Sequence, residues 1–99
     1  MDYKSEKILK KIMVNNTVVN FYKSRSKYKK YVAVVFSNGK KVGTYHFGDL
    51  RFQHYKDNVS NEYADLNHYD EKRRQLYRAR HKSDGKFPSS QWFAWHFLW

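Results

Sequence analysis

Cysteine is absent from this sequence of 99 residues. Disulfides and thiolate metal sites are therefore excluded, and apolar side chains must hold the fold together. No apolar run reaches the roughly 18 residues that suggest a membrane span, and the N-terminus lacks the pattern of a secretory signal. We therefore expect an intracellular protein that is not secreted and has no membrane partner.

Acidic residues are also few, nine against 20 lysines and arginines, which gives a formal net charge of +11. The imbalance varies along the chain, because residues 4–30 and 72–86 are strongly basic whereas residues 57–71 contain five acids and no lysine or arginine. A field of positive sign attracts polyanions, and nucleic acid is the commonest of these in a cell. Alternatives are a solubilising surface and contact with an acidic protein.

Aromatic residues are abundant, with nine tyrosines, seven phenylalanines and three tryptophans. Each buried aromatic ring removes a large area from water, so a few of them can organise the core of a small protein. The length predicts one domain over residues 1–99. Residues 1–13 are expected to attach as a basic N-terminal segment, either a short helix capped by Ser5 or a strand running through Val14.

Three segments have the composition of β-strands. Residues 17–22 are β-branched and aromatic, and residues 31–36 and 42–47 flank an Asn38-Gly39 pair. Asn-Gly tolerates the positive φ angles of a two-residue hairpin turn. Both faces of residues 31–36 are apolar, which predicts a central position in an antiparallel sheet of about three strands.

The next element is an arginine-rich helix that runs through residues 72–81. Asp70 is expected to cap its start and Gly85 to terminate it. Leu76 and Ala79, together with Tyr77, predict a narrow packing stripe. Arg73 and Arg80 flank Tyr77 on its own face, so we expect them to be structural, like Asp70 and Tyr77. The residues expected to share an exposed face that binds nucleic acid, spaced four apart, are Arg74, Arg78 and Lys82.

A C-terminal aromatic helix follows Pro88, with Ser89 or Ser90 as its cap. Its apolar character all round predicts burial against the sheet, which completes a small α+β domain. The tryptophans that we expect to be structural are Trp92, Trp95 and Trp99. An alternative is that part of this aromatic terminus forms a protein interface or a homodimer seam.

A polar basic loop at residues 23–30 is the second expected contact surface. Basic residues beside aromatic rings suit single-stranded or distorted nucleic acid, because bases stack on the rings. The alternative is a solvated loop, which becomes less favoured if the loop and helix charges share one face. The loop residues expected to bind nucleic acid are Arg25, Lys27, Tyr28, Lys29 and Lys30.

Three motifs together resemble a family of small, basic, functionally uncharacterised proteins encoded by large DNA viruses and some bacteriophages. The motifs are an HFG tripeptide (His46, Phe47, Gly48), an H-x-D-x-x-R-R-x-x-Y-x-x-R-H helix starting at His68, and an aromatic segment ending in Leu-Trp. The resemblance covers about residues 28–99. It implies a viral or phage origin, and therefore a location inside the host cell or in the virion, but it implies no activity.

Histidines near carboxylates raise the alternative of a metal-dependent nuclease. The pairs are His46 with Asp49, His54 with Asp57, and His68 with Asp70. The strong zinc spacings are absent, as are the sequence contexts of nucleophilic catalysis and a glycine-rich phosphate loop. We therefore expect no metal, no cofactor and no enzymatic activity.

These observations favour a non-catalytic viral or phage protein that binds DNA or RNA mainly through backbone phosphate. The first alternative is a small virion structural or assembly protein that binds an acidic viral or host partner. A metal-dependent nuclease is the third.

Overall fold

The computed structural model describes residue 3 and residues 5–99, and it confirms a small α+β domain. Four antiparallel strands lie in the order β1-β2-β3-β4, one more strand than the sequence predicts. A short 3-10 turn and two helices follow the sheet. The elements are β1 Lys10–Val14, β2 Thr17–Lys23, β3 Lys29–Ser37, β4 Lys40–Asp49, the 3-10 turn Ala64–Leu66, α1 Glu71–His81 and α2 Ser90–Phe97.

The additional strand is β1, so the expectation of a helix over residues 5–13 is wrong and the strand alternative is correct. Ile12 and Val14 are half-buried whereas Lys11 and Met13 are exposed, a period of two that fits a strand. Ile12 pairs with Val19, and β2 supplies the hydrogen bonds that an isolated helix would have made internally. Residues 1, 2 and 4 of the expected N-terminal segment lie outside the described residues.

The hairpin between β3 and β4 is confirmed. Ser37 pairs with Lys40, and the two turn residues have positive φ angles, 52° at Asn38 and 78° at Gly39. This is the geometry of a type I′ turn, which matches the twist of the flanking strands. The register of the hairpin places Lys40 and Lys41 at one end of the ladder and Asp49 at the other.

Strand β3 is central, as both of its apolar faces predict. One face forms the main core, where Phe93 of α2 is fully buried between aromatic rings of the sheet. The centroid of the Phe93 ring lies 5.7 Å from those of Phe21 and Phe47. On the other face, Val32 and Val34 are buried beside Tyr22 and Tyr3. The prediction that the aromatic helix packs against the sheet is therefore confirmed.

Both helices begin where their capping residues predict. The Asp70 carboxylate accepts hydrogen bonds from the backbone N–H groups of Lys72 and Arg73, and the Ser89 hydroxyl accepts one from Trp92. The expected terminator of α1 is wrong, since the helix ends at His81 and its C-cap, Lys82, adopts the left-handed conformation (φ 62°) three positions before Gly85. Neither helix in the described part of the chain is long and apolar enough to cross a bilayer.

Candidate functional site

Two arginines of α1 point into the protein. The Nε–H of Arg74 donates a hydrogen bond of 2.8 Å to the main-chain oxygen of Trp99, and Arg78 donates one of 3.2 Å to the same atom. Their guanidinium groups also lie over aromatic rings, Arg74 4.7 Å from the Tyr55 centroid and Arg78 4.8 Å from that of Trp95. Arg74 and Arg78 are half-buried, so the expectation that they form an exposed face is wrong.

Other positions of α1 and its C-cap carry the exposed cations. Arg73 and Arg80 are exposed, as is Lys82, so the expectation that the first two face inward is also wrong. Leu76 is 56% exposed and Ala79 is exposed as well, so the expected packing stripe is wrong. The physical reason is that the aromatic ring faces and the main-chain oxygen just beyond α2 attract guanidinium groups, whereas a leucine side chain can bond to neither.

Tyr77 and Trp99 pack against each other between the two helices. The Tyr77 ring lies 4.3 Å from the Trp99 ring at an interplanar angle of 4°, and burial raises the pKa of the Tyr77 hydroxyl. His81 packs on Tyr77 at 4.3 Å, and His68 packs on Trp99 at 5.2 Å. The resulting column of four rings joins α1 to the end of α2.

A cleft of about 470 Å³ lies between α1, the end of α2 and the end of β4. Its basic lining residues are Lys30, Arg73, Arg80 and His81. Its aromatic lining residues are Phe52, Tyr77 and Trp99. The cleft therefore combines cations with ring surfaces, which is the pairing that nucleic-acid binding requires.

Asp49 is the carboxylate that lines this cleft, and Arg51 holds it. Arg51 donates two hydrogen bonds to the two carboxylate oxygens, at 2.9 Å and 2.7 Å. These bonds keep the pKa of Asp49 well below its usual range. Asp49 is therefore paired with Arg51, and it attracts the Lys30 ammonium only from beyond ion-pair distance.

Lys30 belongs to β3 and not to the preceding loop, so the expectation that it is an exposed loop cation is wrong. It is 1% exposed, and its Nζ donates hydrogen bonds of 2.8 Å to the Phe52 carbonyl oxygen and to His54 Nδ1. Burial lowers the pKa of Lys30 to about 8. Lys30 nevertheless lines the cleft, beneath its exposed arginines.

His54 supports Lys30 from inside the protein. Its ring is fully buried, and burial lowers the His54 pKa to about 4, so the ring is neutral at physiological pH. Nδ1 must then accept a hydrogen bond from the Lys30 ammonium group, while the Nε2–H donates one of 2.6 Å to Asn67 Oδ1. The same Asn67 oxygen accepts the backbone N–H of Asp57. Lys30 is thus held by neutral acceptors.

Asp57 organises the loop behind this network. Its buried carboxylate accepts hydrogen bonds from the Tyr31 hydroxyl at 2.5 Å and from the backbone N–H groups of Val59 and Tyr63. Burial and the bond to Asp57 raise the pKa of Tyr31. The buried carboxylate is therefore satisfied by donors and has a structural role.

The basic loop contributes a small exposed patch, which we call the Tyr28–Phe52 patch. Tyr28 is 45% exposed and Phe52 is 64% exposed, and the Arg51 guanidinium lies 4.7 Å and 5.9 Å from their respective ring centroids. Lys27 also lies beside Tyr28, at 5.0 Å. Phe52 lines the cleft as well. The patch and the cleft are therefore continuous.

Not every expected loop residue joins this surface. Arg25 contacts the N-terminal segment, with its guanidinium 4.3 Å from the Tyr3 ring and 3.6 Å from the Glu6 carboxylate. Lys29 is half-buried at the start of β3. Arg51 and Phe52 were not predicted from the sequence. The sequence signal that could have identified them is an adjacent Arg-Phe pair shortly after a strand, in a segment without the apolar pattern of a buried element.

The histidine–carboxylate pairs have structural partners. His46 Nδ1 lies 2.7 Å from the Ser24 hydroxyl, and His68 Nδ1 accepts the backbone N–H of Asp70 at 2.9 Å. Burial lowers the pKa of both histidines. Across residue 3 and residues 5–99, no three histidine or carboxylate side chains form a group that could hold a metal ion.

No protein-family model, curated protein or solved structure matches the chain. The resemblance to viral and phage proteins therefore stays an expectation. Exposed cations and exposed rings share one continuous surface in the cleft and the Tyr28–Phe52 patch, and this surface is the candidate functional site.

Proposed function

We propose that the protein binds nucleic acid through the cleft and the Tyr28–Phe52 patch. The observation that carries this proposal is that Arg73 and Arg80, both exposed, line a cleft in which the carboxylate of Asp49 is already paired with Arg51. The cleft therefore presents a net positive field. Phosphate is the polyanionic group that arginine recognises best, because guanidinium can donate two parallel hydrogen bonds to it.

The exposed rings support nucleic acid over other polyanions. Phe52 and Tyr28 offer apolar surface beside the cations, and a nucleobase can stack on such a ring whatever its sequence. A purely acidic protein partner would use the charges but would leave these rings in water. We propose binding without catalysis, because both ring nitrogens of the buried His54 are already used in structural hydrogen bonds. The viral or phage setting is part of the proposal through the resemblance alone.

The experiment compares two charge-matched double variants in their binding to a fluorescent single-stranded oligonucleotide at low salt. Arg73→Gln with Arg80→Gln removes two cleft charges. Lys40→Gln with Lys41→Gln removes two exposed charges at the far end of the β3–β4 ladder. We expect the first variant to weaken binding by at least tenfold and the second by less than threefold, since screened distant charges contribute little. Equal losses would assign the binding to net charge and not to the cleft.

A further inference from the structure

Lys30 is a buried cation that forms no close ion pair with a described residue. Its ammonium group carries three donors, and the described residues supply two acceptors, the Phe52 carbonyl oxygen and His54 Nδ1. Both acceptors are neutral. None of the ion pairs formed by the described residues includes Lys30. Asp49 and Asp57 attract the Lys30 ammonium only from beyond ion-pair distance. Burial of a charge is costly without a close counter-charge, so an anion bound beside Lys30 would stabilise it.

The groups around Lys30 point to the same ligand. Arg73 and Arg80 line the same cleft and are exposed, and His81 lies next to them. Arg73 makes one hydrogen bond, of 2.9 Å, to the neutral Gln53 side chain. The carboxylate that lines the cleft, Asp49, is occupied by Arg51. An anion in the cleft would therefore meet two exposed guanidinium groups and, beneath them, the third donor of Lys30.

We propose that the cleft binds a phosphate group of an unpaired nucleotide, with Lys30 as the buried donor and Arg73 and Arg80 as the exposed ones. This inference deepens the proposed function and rests on it. Because Lys30 is 1% exposed, a phosphate must enter the cleft to reach it. The phosphates of a regular duplex lie on a convex surface, whereas an unpaired nucleotide can bend into a cleft of about 470 Å³ and place its base on Phe52.

The test measures the affinity of the wild-type protein and of Lys30→Met for three probes. The probes are thymidine 5′-monophosphate, a short single-stranded oligothymidylate and a duplex of the same length. Met keeps the length of the side chain and removes its charge, and Lys82→Met is the control because Lys82 is an exposed cation of α1 outside the cleft lining. Lys30→Met should weaken the binding of the single strand and of the mononucleotide about tenfold, because it removes a charged hydrogen bond. Lys82→Met should weaken the binding of both probes by less than threefold.

The source of the phosphate is resolved by comparing the probes. Tighter binding of the single strand than of the duplex is expected, and a duplex that binds equally well and responds equally to Lys30→Met overturns the unpaired-nucleotide site. If Lys30→Met does not fold, the double variant Arg73→Gln with Arg80→Gln is used instead, and it must weaken mononucleotide binding at least fivefold. An unchanged mononucleotide affinity overturns the site.

The two proposals fail differently. If Lys30→Met binds the single strand as the wild type does while the double arginine variant does not, the phosphate site is wrong and nucleic-acid binding stands. If the mononucleotide binds and depends on Lys30 while neither nucleic acid binds, the phosphate site holds for a free nucleotide and the proposed function is wrong.

Discussion

The ring of Tyr77 in α1 lies parallel to the ring of Trp99 beyond α2, with centroids 4.3 Å apart and an interplanar angle of 4°. This stack, together with the bonds from Arg74 and Arg78 to the Trp99 main-chain oxygen, fixes the rotation of α1 about its own axis. That rotation decides which arginines reach the cleft. The helix therefore presents Arg73 and Arg80 to the cleft because they flank Tyr77 on the face that the stack holds in place.

The Tyr77 stack predicts a difference between two neighbouring positions. Tyr77→Ala should lower the free energy of unfolding by about 2–3 kcal/mol, since it removes a half-buried ring with stacking partners on both sides. Leu76→Ala should change it by less than about 0.5 kcal/mol, because Leu76 is 56% exposed. Urea denaturation of both variants checks this. Equal losses would contradict the orientation of α1.

The arginines of α1 predict a second contrast. Arg74→Ala should destabilise the protein by about 1–2 kcal/mol, because it removes a charged hydrogen bond to Trp99 and a cation–π contact with Tyr55. Arg80→Ala should leave the thermal midpoint nearly unchanged and weaken oligonucleotide binding. Thermal unfolding and anisotropy on the same samples measure both effects. A stability loss at Arg80 and none at Arg74 would restore the assignment made from sequence.

The fold was predictable where a local rule decides the structure. Asn38-Gly39 favours a tight hairpin, Asp70 and Ser89 have the chemistry of helix caps, and apolar residues on both faces place β3 in the interior of the sheet. The rotation of α1 was not predictable, because arginine can either face water or lie on a ring. Tertiary partners at the end of α2 decide between these two outcomes.

The role of Lys30 depended on a strand boundary. Extending β3 by two residues, from 31 back to Lys29, moves Lys30 from a solvated loop into the interior. Strand ends are the least certain feature of any sequence pattern, and no local signal distinguishes a buried lysine from an exposed one. The Tyr28–Phe52 patch was half predicted, since Tyr28 was identified and Phe52, distant in sequence, was not.

The buried His54 predicts acid sensitivity. Its pKa is about 4 in the folded protein against an ordinary value of 6.5, so the folded state favours the neutral ring. The stability that His54 provides is fully present above pH 6.5 and is lost as the pH falls to about 4, a loss of about 3 kcal/mol. His54→Asn keeps an acceptor for Lys30 and cannot titrate, so its stability should fall less over this range. Parallel pH profiles of the two proteins would contradict the assignment.

Phe93 predicts how much the aromatic helix contributes to the core. Phe93 is fully buried against rings from β2 and β4, so Phe93→Ala should cost about 3–5 kcal/mol, enough to unfold a small domain at moderate temperature. Phe93→Leu should retain most of the stability because it keeps most of the buried volume. Circular dichroism melts measure both. A folded, unchanged Phe93→Ala variant would favour the alternative that this terminus is an interface.

The salt dependence of single-strand binding tests whether the cleft recognises nucleic acid through its arginines. Each phosphate contact on a single strand contributes about −0.7 to the slope of log affinity against log salt, because bound counterions are released. The wild-type protein should bind with a steep negative slope, and Arg73→Gln with Arg80→Gln should make that slope shallower by about 1.4. Lys40→Gln with Lys41→Gln should leave it unchanged. No binding at low salt, or an equal change of slope in both double variants, would contradict nucleic-acid recognition by the cleft.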